Sequence, residues 1–180
     1  AADKAVWRRQ QVNLLVEGVR ETIDAFNKTA NRQVQFGISP TGAYKNGDGI
    51  VTYDEEGMPI TTGSKTKAQE HFNSYLFADS LHWIKEGWLD YIIPQTYWAT
   101  NKPAAPFGEL LGWWDKVVKN LDVNLYAGIG IYRANDASIK DEDWNKNVNE
   151  LNKQFMIINT LSNVGGHSVY RLEELEQGYR

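Results

Sequence analysis

Asp90-Tyr91-Ile92-Ile93-Pro94-Gln95-Thr96-Tyr97-Trp98 is the stretch on which the reading of this chain turns. Tyr91, Ile92 and Ile93 form a short aromatic and β-branched run, entered from the helix stop Glu86-Gly87 and closed by Pro94, and read as a buried strand. Gln95, Tyr97 and Trp98 then bring an amide, a phenol and an indole within four residues. With the strand extended to Trp98, Gln95 and Tyr97 share one face and Trp98 points the other way. Two readings stand: a strand end closed by aromatic packing, or groups suited to holding a sugar or another polar ring.

Working outward, residues Ala68 to Glu86 are predicted as a helix leading into that strand, with Phe72, Tyr75, Leu76, Trp83 and Ile84 inward. Asp79 falls on its apolar side, between Tyr75 and Trp83. A buried carboxylate needs a partner, and an anchor to a backbone amide or an arginine is favoured over a catalytic role. Before it, Thr41 to Lys67 is a polar connection rich in Gly and Thr, in which Ile50 to Tyr53 and Met58 to Thr61 flank a turn and read as a hairpin. A connection this long is uncommon in a compact domain unless it is functional or disordered. Val34 to Pro40 is predicted as a strand. Asp3 to Lys28 is predicted as a helix with Val12, Val16, Val19, Ile23 and Phe26 in one stripe. Downstream the expected order is a helix over Phe107 to Asn120, a strand over Asn124 to Tyr132, and a polar loop over Asp136 to Asp141. A helix over Glu142 to Thr160, a strand over Gly165 to Arg171 and a short acidic helical turn complete it. Gly128 and Gly130 share a face, leaving room for a neighbouring side chain or a ligand.

Alternating helices and strands imply an α/β fold with a parallel sheet and right-handed crossovers. A small open doubly wound sheet and part of a (β/α)8 barrel both fit. A complete barrel takes roughly 200 residues or more, and four strands cannot close one. No internal repeat is visible.

The 180 residues suffice for one substantial core and a single domain. A net charge of −4, spread along the chain, excludes the basic face that nucleic acid requires, although 7 Trp, 9 Tyr and 6 Phe could stack on bases. No apolar run is long enough to span a membrane. With no cysteine, disulfides, thiolate zinc sites and thiol nucleophiles are excluded. No secretory signal lies within these residues, and the start at Ala1-Ala2 leaves an upstream signal as an expectation.

In either architecture ligands bind at the carboxyl ends of the strands. Those ends carry Ser39 with Tyr44; Gln95, Tyr97 and Trp98; Tyr132 and Arg133; and Tyr170 with Arg171. Such amide, hydroxyl, guanidinium and aromatic groups suit a carbohydrate, or are satisfied rim residues. Glycoside hydrolysis usually needs two carboxylates, and no strand here ends in one. Asp48, Asp54, Glu55, Glu56, Glu173 and Glu174 read as solvated loop and turn charges. His71, His82 and His167 lack metal-ligand spacing, and His71 and His82 share the predicted helix eleven residues apart. Gly128-Ile129-Gly130 lacks the rest of a dinucleotide fingerprint, and no nucleophile elbow occurs.

Trp7-Arg8-Arg9, Phe36-Gly37-Ile38-Ser39-Pro40, Tyr75 with Ala78-Asp79, the run from Trp83 to Ile92, Pro94 to Trp98, Trp113-Trp114 and Leu125-Tyr126-Ala127-Gly128 occur in an order and spacing that resemble a known family. It is the glycosyl-hydrolase-like family 10, the former domain-of-unknown-function 187 group, of bacterial exported proteins and lipoproteins. The residues from Gly166 to Arg171 follow its last strand only loosely. The resemblance implies that residues 1–180 are one domain, the second half (strands five to eight) of a TIM barrel, with residues 41–67 inserted as a long βα loop. The family's acidic Asp-Gly-x-x-x-Asp-Asp type motif has no counterpart here, so the catalytic residues are unassigned. The resemblance further implies a β-linked glycan of the cell envelope as substrate, peptidoglycan strands stripped of their peptides being one class. By transfer, Gln95, Tyr97 and Trp98 line the sugar cleft, with Ser39, Tyr44, Tyr132 and Arg171 as weaker candidates. Neither a cofactor nor a metal is implied. The expected partners are the glycan, the N-terminal half of the barrel and, through the open side, a second copy. The expected location is exported, extracellular or in the cell envelope. The chain alone is expected to be inactive. Two further readings remain: a non-catalytic carbohydrate-binding or scaffolding domain, and a small independent α/β domain with an unrelated ligand.

Overall fold

The computed structural model describes residues 2–134, 144 and 149–176. Its centre is a parallel sheet of four strands: β1 (Gly37–Ile38), β4 (Tyr91–Ile92), β5 (Asn124–Gly130) and β6 (Val164–Tyr170). They lie side by side in the order in which the chain makes them. A doubly wound sheet reverses its strand order at a switch point; this sheet does not. The side chains agree. Ile92, Leu125, Ala127 and Ile129 point into the helix-covered core, whereas Tyr91, Ile93 and Tyr126 lie on the other face, half-buried. Helices on one face and strands added in sequence are the architecture of half of a (β/α)8 barrel.

The long helix α1 (Ala2–Ala30) precedes β1. Its Val12 and Val16 join Trp83, Ile84, Ile92, Trp113, Trp114 and Leu125 in one core cluster. Arg20 ties it to the sheet, with Nη1 3.1 Å from Asp90 Oδ1, while Asp90 Oδ2 accepts the Phe36 amide at 2.6 Å. A second cluster, Phe107, Leu111, Ala127, Ile129, Ile131, Trp144 and Ile158, lies between β5 and the helices α3 (Phe107–Val118) and α4 (Glu150–Ile158).

The expected hairpin forms as β2 (Val51–Tyr53) against β3 (Pro59–Thr61), Thr52 opposite Ile60. It lies along α3, where Tyr53 Oη donates to the Lys116 carbonyl at 2.6 Å and Trp113 Nε1 to Thr61 Oγ1 at 3.1 Å. The 41–67 connection is therefore ordered structure built on α3.

Three expectations are corrected. The helix expected over Ala68 to Glu86 is only α2 (Ser80–Lys85). Residues before it are held by backbone bonds to another segment, His71 N to Ala43 O and Phe72 N to Tyr44 O, and Phe77 takes a φ of 48°. Tertiary pairing has overridden local periodicity there. His71 and His82 consequently do not share a helix. The strand expected to end at Tyr132 ends at Gly130, and Ile131–Ala134 turn as a 3-10 helix. The predicted stop at Glu86-Gly87 is real: Gly87, at φ +69°, donates to Ile84 O and Trp88 donates to Trp83 O, the Schellman closure that favours glycine. The loop expected over Asp136 to Asp141 lies outside the described residues, as does most of 142–149. A short helix α5 (Leu172–Glu176) follows β6.

Candidate functional site

The carboxyl end of β4 is fixed between its neighbours. Gln95 bridges Thr41 on one side and Gly128 on the other, its amide donating to Pro40 O at 2.9 Å. Thr96 Oγ1, fully buried, donates to Gly128 O at 2.9 Å. Gln95 turns its side chain toward β1, Nε2 donating to Ser39 O at 2.8 Å, and Ser39 Oγ donates to Ile93 O at 2.9 Å.

Tyr97 turns the other way, toward β5 and β6. Its ring stacks on Tyr170 (centroids 5.9 Å apart, 18° between planes) and meets Tyr132 edge-on at 6.0 Å; Tyr132 meets Tyr170 at 5.9 Å and 88°. Three strand ends thus contribute three mutually packed phenols. Gly130 makes room for them, since a Cβ there would lie 2.8 Å from Tyr97 Cγ. The space left by Gly128 is likewise filled, by the Pro94 carbonyl. The Arg133 guanidinium lies 5.8 Å from the Tyr132 ring centroid. Partial burial, with the two neighbouring phenols, pushes the Tyr97 hydroxyl up to about 12, so it is a neutral donor and acceptor at ordinary pH.

The other transferred residues are dispersed. Trp98 lies on the opposite side of its loop, packed with Ala43, Ala105 and Leu110. A cleft of about 490 Å³ is lined by Gly47, Lys65, Thr66, Lys67, Pro103 and Ala104. Arg171 is paired with Glu173 at 2.9 Å and with Glu174 at 3.7 Å. Tyr44 faces the core rather than the rim. It is buried among His71, Phe72 and Trp113, and its hydroxyl donates to Asp79 Oδ1 at 2.8 Å. Burial first, and the Asp79 carboxylate second, hold that phenol well above its ordinary range. Asp79 is the anchor expected of it, capping α2 by accepting the His82 amide at 3.3 Å.

Tyr170 completes the cluster although it was not among the transferred residues; its position at a strand end was the available signal. Glu150 and Gln154 were missed altogether. Both are fully buried on one face of α4 and bond to the segment after Trp98. A polar pair four residues apart on the apolar side of a helix was the clue. Among the described residues no group of three or more His, Asp or Glu side chains could hold a metal ion, and no helix is long and apolar enough to cross a membrane.

A family model described as glycosyl hydrolase-like 10 matches residues 1–146. Glycosyl hydrolase YngK of Bacillus subtilis (strain 168) is 37% identical over 171 residues, covering 95% of this chain and 30% of that protein. Glycosyl hydrolase DigH of Escherichia coli (strain K12) is 34% identical over 178 residues, covering 98% of this chain and 37% of that protein. The chain therefore spans about a third of the length of the curated relatives it matches. With the family match running through β1, β4, β5 and the Tyr97 loop, this chain belongs to the glycosyl hydrolase-like 10 family.

Proposed function

We propose that this chain supplies one wall of the sugar-binding cleft of a glycoside hydrolase acting on a β-linked glycan of the cell envelope. The observation that carries the reading is the packed trio of Tyr97, Tyr132 and Tyr170 at the carboxyl ends of three adjacent strands, where barrel enzymes bind their substrates. Ring faces and neutral hydroxyls together match a pyranose, apolar on its axial C–H face and polar around its edge. Half-buried Gln95 and Trp98 lie to the other side of Tyr97 and would widen the rim there rather than join the trio. In the parent protein these strands are five to eight of the barrel, residues 1–180 form one domain with a long 41–67 loop, and the upstream half provides the acids. An envelope glycan as substrate fits an exported or lipid-anchored parent.

The test is a titration of the chain with soluble β-1,4-linked N-acetylglucosamine oligomers, followed by NMR. Saturable binding that weakens at least fivefold in Tyr97→Ala is expected. Equal affinity in the variant would remove Tyr97 from the cleft. No release of reducing ends from these oligomers, or from peptide-stripped peptidoglycan, is expected of the chain alone.

A carbohydrate-binding wall that lacks catalysis even at full length is the second reading. It is favoured by the contacts of the cluster, which among the described residues are aromatic and guanidinium rather than carboxylate. Acids at the strand ends of the upstream half separate the two.

A further inference from the structure

We propose that Glu150 is a positioning residue: from the start of α4 it holds the loop 96–100, and with it Tyr97 and Trp98, in place. Its role for a ligand rests on the cleft reading above; its grip on the loop does not.

Glu150 has no exposed surface. Both carboxylate oxygens reach one residue of the loop: Oε1 accepts the Thr100 amide at 2.6 Å and Oε2 accepts Thr100 Oγ1 at 3.0 Å. One turn on, the equally buried Gln154 donates through Nε2 to Glu150 Oε1 at 3.0 Å and to the Trp98 carbonyl at 3.3 Å. Two polar side chains of α4 thus take hold of three groups, on either side of the fully buried Ala99. At its other end the same loop is held by Thr96 Oγ1 on Gly128 O. Tyr97 and Trp98 lie between these two fixings.

A carboxylate enclosed in a core is tolerated only when its oxygens are satisfied, and charge-assisted bonds to N–H and O–H donors do so best. Its place in the first turn of α4 adds favourable interaction with the helix dipole. Docking the helix does not require it, because Phe155, Ile157 and Ile158 already pack α4 into the second core cluster. What Glu150 adds is directional: it fixes the loop backbone at Thr100. Its oxygens turn outward to that loop, and the residue capping the helix, Asn149, makes no side-chain cap bond.

The experiment compares Glu150→Leu, Glu150→Gln and Gln154→Leu in the full chain. Amide hydrogen exchange across 96–100 and across β5 is measured together with the N-acetylglucosamine oligomer titration. In Glu150→Leu, exchange over 96–100 is expected to quicken at least tenfold while residues 125–129 keep their protection, and oligomer affinity to fall at least fivefold. Glu150→Gln retains an acceptor for the Thr100 amide and is expected to restore most of both. Gln154→Leu gives a smaller local effect and serves if Glu150→Leu does not fold. Unchanged exchange over 96–100 in Glu150→Leu and Gln154→Leu, or exchange that quickens equally in β5, overturns the proposal. Local quickening with no oligomer binding by the unsubstituted chain supports the grip and sinks the cleft reading instead.

Discussion

His71 shows how a single buried residue couples this fold to pH. It has no exposed surface, with Nε2 2.7 Å from Ser80 Oγ and Nδ1 3.2 Å from Thr41 Oγ1, and burial lowers its pKa from 6.5 to about 4. Between those values the unfolded chain takes up a proton that the folded chain refuses, so stability falls as pH drops from about 6.5 toward about 4. The loss approaches about 3 kcal/mol at the bottom of that window. Urea midpoints measured across it are expected to decline more steeply for the native chain than for His71→Gln, which should be less stable at pH 8 but flatter. Asp79 makes a second case. Asp79→Ala removes a helix cap and leaves the Tyr44 hydroxyl buried without an acceptor, a cost of about 2–4 kcal/mol in an equilibrium melt, with Asp79→Asn losing less. The anchoring role of Asp79 was expected from a helix face that does not form, since Tyr75 is exposed and the helix starts at Ser80; the carboxylate is satisfied instead as the cap of α2 and by Tyr44. The place of Tyr44 was not legible in the sequence. Its nearness to a strand end in sequence says nothing about the direction in which the loop folds back, and here the loop returns the phenol to the core.

At the scale of elements, β5, α3 and α4 were readable because their hydrophobic periods match their burial, whereas on α1 the period showed a helix but not its buried face, since Val16 is buried and Val19 and Phe26 are exposed. The chain from 68 to 79 was not readable, because its backbone donors go to Ala43 and Tyr44, partners that no local pattern reveals. The same limit hid the grip of α4 on the 96–100 loop. The two glycines of β5 are expected to answer differently to a methyl group. In Gly128→Ala the new Cβ would lie 2.6 Å from the Pro94 carbonyl, part of the backbone, and the strands would have to separate. A loss of about 1–3 kcal/mol is expected, read as a lower urea midpoint. In Gly130→Ala the obstacle is the Tyr97 ring at 2.8 Å, a side chain that can swing away. That variant is expected to retain more stability than Gly128→Ala while losing oligomer affinity and upfield ring-current shifts at Tyr97, seen by NMR.

At the scale of the whole molecule, the uninterrupted strand order decided between two architectures that the alternation of helices and strands had left equal. Apolar surface also stays exposed on the outer helix. On α1, Trp7 is 60% exposed, Leu14 59% and Leu15 67%, an apolar stripe of the kind that marks an interface. The isolated chain is expected to self-associate in sedimentation at micromolar concentration, and Leu14→Glu with Leu15→Glu to shift it toward monomer; a monodisperse unsubstituted monomer would count against this. The sheet itself is uneven. β5 and β6 pair over six register positions from Leu125 to Gly130, whereas β1 and β4 pair over two. Backbone bonds from Asp90 to Phe36, Ile93 to Ile38 and Gln95 to Pro40 carry the β1–β4 contact beyond those two pairs, so amide exchange is expected to be slowest in β5 and faster, though still protected, in β4. The two open edges of the sheet are therefore unequal templates: a strand added beside β1 would meet two residues of regular strand, one added beside β6 would meet seven.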